Sequence, residues 1–270
     1  MEERKIQQAM KALGLKRQII GVRFLVFRQD YEASKGEEME KSTLCQLVLW
    51  AGDGKKVKAG MENLSCRNGA YAVGMCSVPE EEKSGRKEFT SGDYESLAVA
   101  RQICENKQFI PQNIYGIEIA PLEKMGEADI VMMIGTAKDI MRIMQGYVRY
   151  YGVAKNVVTV GKCGVCSELI SRPFMNNDIN VSLLSRCARK NGDYQKGEMG
   201  ISMPVHMVNS VLTGILETVN LTENNGPKRE ILERLDYPEE LGFSIRMNYD
   251  YAIQGMEYQK YCAECMKEEQ

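Results

Sequence analysis

Residues 158–169 read VTVGKCGVCSEL, and Cys163 and Cys166 stand three apart behind Gly161. Thiols at this spacing can form a redox dithiol, supply half of a zinc site or anchor an iron–sulfur cluster. The segments that follow, SRPF, SLLSRCARKNG and GEMGISMP, add Cys187 with Arg186 and Arg189 close by. Guanidinium groups favour the thiolate, which is the form that binds metals and attacks disulfides. Upstream, STLCQLVLWAG and LSCRNGAYAVG carry Cys45 and Cys66, the second followed by Arg67 and Gly69. Cys45 and Cys66 are 21 residues apart, as are Cys166 and Cys187, which hints at an internal pseudo-repeat. A last pair, Cys262 and Cys265, would share a helix face and could complete an all-cysteine zinc site with GKCGVC.

These residues need elements to hold them. Residues 2–13 pattern as an amphipathic helix, and IIGVRFLVF (19–27) as a central strand followed by a charged loop. Ser42 is placed to cap a helix through TLCQLVLWAG, and residues 55–59 suit a short strand. Residues 78–92 are polar and predict a solvated loop, with Ser91 or Asp93 capping a helix through Cys104. Strands are expected at 114–122, 129–135 and 156–161, with the helix TAKDIMRIMQGYVRYYG between the last two. Met132, Met133, Met141 and Met144 are expected to fill the core. Pro204 opens a further helix, and the tail with Cys262 and Cys265 is expected to be helical. The alternation β, α, β predicts an α/β fold: a mixed β-sheet with flanking helices. The expected organisation is one α/β domain over 1–270, with a two-lobed division near 105–113 as the alternative.

Composition narrows the function. The 270 residues are 44% hydrophobic and 27% charged, with net charge -2, so nothing favours a polyanion partner. RYYG (149–152) lies on an amphipathic helix, and GDGKK (52–56) lacks the full phosphate-loop pattern, so no nucleic acid is expected. No apolar run reaches the ~20 residues that span a bilayer. The amphipathic, charged N-terminus has no signal-peptide apolar region, so a cytoplasmic protein is expected, in which the nine cysteines bind metal, do redox chemistry or pack. The single histidine, His206, excludes a multi-histidine metal site.

Several stretches, in order, resemble the prokaryotic ArCR family, domain-of-unknown-function family 169. They are the Cys45 helix, CRNGAYAVGM (66–75), IAPLEKMGEADIVMMIG, AKDIMRIMQGYVRYYG and SRCARKNGDYQKGEMGISMP (185–204). The resemblance marks Cys45, Cys66, Cys187 and one of Cys163 or Cys166; Ala188 stands where the family often has glycine. It implies no particular reaction.

Three functional expectations follow. The first is a cysteine-ligated metal protein, a [4Fe–4S] cluster on Cys45, Cys66, Cys187 and Cys163 or Cys166, with Arg67, Arg186 and Arg189 offsetting its charge and a redox or small-molecule-transforming role. The second is a thiol-redox or zinc protein using Cys163 and Cys166, although Pro173 spoils the strand–CxxC–long-helix order of thioredoxin-like folds. The third is a small-ligand module with structural cysteines, in which Lys162, Arg172, Arg186 and Arg189 bind an anion. The expected partner is a small molecule or a redox protein, and a homodimer is compatible.

Overall fold

The computed structural model describes residues 3–111, 113–236 and 245–247. Among them seven strands form one sheet: β1 (Ile20–Leu25), β2 (Glu37–Glu38), β3 (Val57–Gly60), β4 (Gly116–Pro121), β5 (Ile130–Gly135), β6 (Asn180–Ser182) and β7 (Met199–Pro204). The spatial order is β2-β3-β4-β1-β5-β7-β6. The chain is α/β with a mixed sheet, as the patterning implies. However, every neighbouring pair is antiparallel except β2 with β3.

The central strands alternate between two buried faces. Ile20, Val22, Phe24, Ile117, Ile119, Ile130, Met132 and Ile134 enter one core with the helices Leu44–Gly52, Arg67–Ala72, Gly164–Ser171 and Arg186–Gly192. Val131, Met133, Ile201 and Met203 face the helices Glu3–Leu13, Ala137–Tyr151 and Val205–Glu217. The segments carrying Cys45, Cys66, Cys163, Cys166 and Cys187 therefore lie on one side of the sheet.

The pairing has an internal two-fold pattern. Ile20 to Leu25 of β1 pair with Pro121 back to Gly116 of β4. Ile130 to Gly135 of β5 pair with Pro204 back to Met199 of β7 in the same register. The edge strands match too, because Val57 opposes Ile119 and Asn180 opposes Ser202, each the fourth residue of its partner strand. β1 and β5 join the halves antiparallel, with Gly21 opposite Val131 and Ile20 and Val22 opposite Met132 and Ile130. Setting aside β2 and the intervening helices, each half has a strand, a cysteine helix, a strand, a cysteine helix and a strand in that order, with Cys45 and Cys66 in the first and Cys163, Cys166 and Cys187 in the second. The hint of a repeat has a structural counterpart.

Several local expectations are corrected. Residues 156–161 form no strand; their polar groups are taken by side chains instead. Val158 N donates to Asn180 Oδ1 at 2.9 Å, and Val160 N and Gly161 N donate to Glu168 Oε1 at 2.6 and 3.2 Å. Residues 78–92 contain the short helices Glu80–Lys83 and Arg86–Thr90, because Glu82 and Glu88 are buried and paired with Lys87 and Lys107. The loop after β1 contains the helix Arg28–Ala33. Thr43, not Ser42, caps the Cys45 helix, and Ser96 replaces Ser91 or Asp93 as the cap of the helix ending at Asn106. Met132 and Met133 are fully buried, but Met141 is exposed. Cys262 and Cys265 lie outside the described residues.

The helices on the far face meet at two glycines. A Cβ on Gly214 would stand 2.4 Å from Gly146 O, and one on Gly146 would stand 2.6 Å from Val211 O. Gly214→Ala is expected to cost about 1–3 kcal/mol by overpacking, outweighing the up to ~1 kcal/mol by which alanine is the better helix former. Urea unfolding measures this, and unchanged or raised stability would contradict so close a crossing.

Candidate metal centre

Five cysteines line one cavity of about 90 Å³: Cys45, Cys66, Cys163, Cys166 and Cys187, together with Thr43, Leu44, Asn68, Gly69, Lys162, Ser185 and Asn191. Voids of this size hold several waters or a compact inorganic group. Cys166 is buried, Cys45, Cys66 and Cys163 are half-buried, and Cys187 is exposed. The cavity thus runs from a closed floor at Cys166 to an open side at Cys187.

Each cysteine sits at the start of a helix. Cys45 is the second residue of Leu44–Gly52, whose first turn Thr43 and Gln46 close reciprocally: Gln46 N donates to Thr43 Oγ1 at 3.2 Å and Thr43 N to Gln46 Oε1 at 2.9 Å. Cys66 is the N-cap of Arg67–Ala72. Cys163 is the N-cap of the π-helix Gly164–Ser171, and Cys166 is its third residue. Cys187 is second in Arg186–Gly192, capped by Ser185. First-turn N–H groups and the positive end of the helix dipole favour anionic sulfur.

The supports are specific. Tyr194 OH donates to Cys45 O at 2.9 Å, tying the start of the Cys45 helix to the chain beyond Cys187. Leu169 lies over Gly200, where a Cβ would stand 2.3 Å from its Cδ1, so the π-helix can lie flat on β7. Glu168 holds the loop before Cys163 through Thr159, Val160 and Gly161, and Ser182 donates to its other oxygen. Cys163 itself has φ 56°, in the left-handed region that a non-glycine residue rarely adopts.

The thiols act on one another. Burial first, and then charge on Cys66, Cys163 and Cys187, together push the Cys45 thiol up to about 12. Cys163 is held below the ordinary thiol range, chiefly by a hydrogen bond from Cys166, with Lys107 and Lys162 contributing. Cys166 is driven up by that same bond and by burial. Thiolates crowded this way repel one another unless a cation joins them, and binding one would release protons.

The arginines expected near the thiols are placed otherwise. Arg67 and Arg186 are exposed and are not among the lining residues, where Lys162 supplies the cation. Arg189 donates to the carbonyls of Leu183, Gln195 and Glu198 at 2.7–2.9 Å and so clamps its own loop. Arg172 is buried and donates to Asn106 O. His206 is exposed and apart from the cavity, and Cys104 is buried in the core. Among the described residues no group of three or more His, Cys, Asp or Glu side chains is disposed to hold a metal ion. No helix among them is long and apolar enough to cross a membrane.

Glu168 and Tyr194 were not singled out from sequence. A carboxylate inside the otherwise small and apolar run GVCSELIS was the available signal for Glu168; Tyr194 had none. Glu168→Ala would leave buried donors unmet at about 1–3 kcal/mol each. The expected outcome is accelerated amide hydrogen exchange at 160–163 with Ala137–Tyr151 unaffected, whereas unchanged protection there would show that the loop does not depend on Glu168.

The family model described as Uncharacterised ArCR, domain-of-unknown-function family 169, matches residues 9–214, which include all seven strands among the described residues and all five cysteines of the cavity. A Methanocaldococcus jannaschii protein described as Uncharacterized protein MJ0308 is 19% identical over 212 residues, covering 77% of this chain and 91% of that protein. No solved structure matches the chain significantly. From the family match over most of its length, the chain belongs to the ArCR family.

Proposed function

We propose that this protein carries a [4Fe–4S] cluster on Cys45, Cys66, Cys187 and one of Cys163 or Cys166, and that it serves in one-electron exchange or in transforming a small molecule at that cluster. The observation that carries the reading is the convergence of five thiols, from four separate helix starts, on one cavity. Two thiols come from each half of the internal repeat, a division that suits a group with four equivalent corners. A zinc ion would need four sulfurs at about 2.3 Å from a single point. A cluster takes each thiolate at a different iron, so its sulfurs stand further apart. Helix N-termini and Lys162 suit its negative charge, and the exposed Cys187 leaves one edge open to a redox partner or substrate.

Cysteine-to-serine changes test the ligand set. Protein prepared without oxygen is expected to be brown, with about four iron and four sulfide per chain and a visible band that bleaches on reduction. Serine at Cys45, Cys66 or Cys187 is expected to remove most of the iron, as is serine at only one of Cys163 and Cys166. Serine at Cys104, outside the cavity, is expected to leave the iron in place. A colourless wild-type protein without iron would end this reading.

One observation favours a second reading. Cys166 is buried and donates Sγ–H to Cys163 O at 3.7 Å, while Cys163 is half-buried; with the Cys163 thiol held down and the Cys166 thiol driven up, this is the asymmetry of a dithiol with an attacking and a buried resolving sulfur. On that reading the metal-free protein forms a Cys163–Cys166 disulfide on mild oxidation, giving up two electrons and two protons to the oxidant, and is reduced again by a dithiol. Mass spectrometry of the oxidised protein distinguishes the two, because a cluster protein releases iron and sulfide instead.

A further inference from the structure

The inner wall of the cavity is backed by a group of charges outside the thiol set. Lys107 and Glu88 are both buried, 5% and 4% exposed, and Lys107 Nζ donates to Glu88 Oε1 at 2.5 Å. The Cys104 sulfur lies 3.6 Å from the same nitrogen. Lys162, which lines the cavity, stands 3.9 Å from Glu88 Oε1 and donates to Asp93 at 2.6 Å. The other Glu88 oxygen is buried without a hydrogen-bond partner. A buried ion pair costs desolvation that apolar packing would avoid, so its retention asks for a reason.

The segment bearing Lys107 is fastened to the cysteine helix. Gln108 N donates to Ser167 Oγ at 3.1 Å, and Ser167 Oγ donates back to Gln108 O at 3.2 Å. Arg172 donates to Asn106 O, and Gln108 Nε2 to Asn176 Oδ1 at 2.9 Å. Ser167 directly follows Cys166, so the backbone on either side of Lys107 is anchored to the helix Gly164–Ser171, whose N-cap is Cys163. The direct interaction of Lys107 with charge on Cys163 agrees with that placement.

We propose that Lys107, partnered by Glu88, is a positioning residue that sets the electrostatic potential at the thiol centre and so the reduction potential of the group held there. The inference rests on the cluster reading. A fixed cation behind the sulfurs stabilises the reduced, more negative state, whereas Glu88 attenuates that cation. A role confined to packing would leave the two charges with no opposing signature.

Spectroelectrochemical titration of the cluster-loaded protein tests this. Lys107→Met is expected to lower the midpoint potential and Glu88→Gln, which keeps the hydrogen bond but removes the charge, to raise it. Lys107→Arg is expected to stay close to wild type. The double variant Lys107→Met/Glu88→Gln, which leaves no unpaired buried charge, is expected to fall between the single variants and guards against a misfolded Lys107→Met. A loaded cluster whose potential is unmoved by these changes, or moves the same way in both single variants, overturns the inference and leaves the cluster reading standing. A wild-type protein that binds no cluster overturns both.

Discussion

The antiparallel pairing of β1 with β5 about Gly21 and Val131 is the constraint on which the rest depends. An antiparallel pair has a local two-fold axis through the sheet, so equivalent elements of the two halves stay on the same face. Both sets of cysteine helices consequently cover one side, and the helices Ala137–Tyr151 and Val205–Glu217 cover the other. A parallel junction would have lacked that two-fold relation between Cys45 and Cys66 in one half and Cys163, Cys166 and Cys187 in the other.

Converging helix starts makes a site of unusual electrostatics. Thiols are brought together out of water, where ionising all of them without a counter-charge is unfavourable, as the raised Cys45 shows. Around them the fold supplies first-turn N–H groups, Lys162 on the wall and the Lys107–Glu88 pair behind. Buried polar supports, notably Glu168 and Tyr194, use their hydrogen bonds on the backbone that carries the cysteines. The polar interior thus holds the geometry of the site, and apolar packing on the sheet holds the helices.

Where local physics decides, the sequence was readable. Thr136 and Gly152 delimit the helix Ala137–Tyr151, and its apolar stripe meets the core as patterned. It misleads where a distant side chain supplies the partner. The valines of 156–161 look like a strand, but Asn180 and Glu168 satisfy that backbone. The charged run 78–92 looks solvated, but Lys107 comes from another helix to neutralise Glu88. The mixed sheet follows from the patterning, but which strands pair does not: β5 meets β7 antiparallel through contacts that strand spacing does not encode.

The sequence by itself determined residue chemistry and local form: nine thiols, one histidine, amphipathic helices, an α/β alternation and the stretches that carry the family likeness. Only the tertiary structure decided that five of those thiols share a cavity, that Arg189 is committed to carbonyls, and that a buried lysine backs Cys163. The physical reason is range. Capping and periodicity act within a few residues, but Cys45 and Cys187 meet through sheet pairing and helix packing that accumulate over the whole chain.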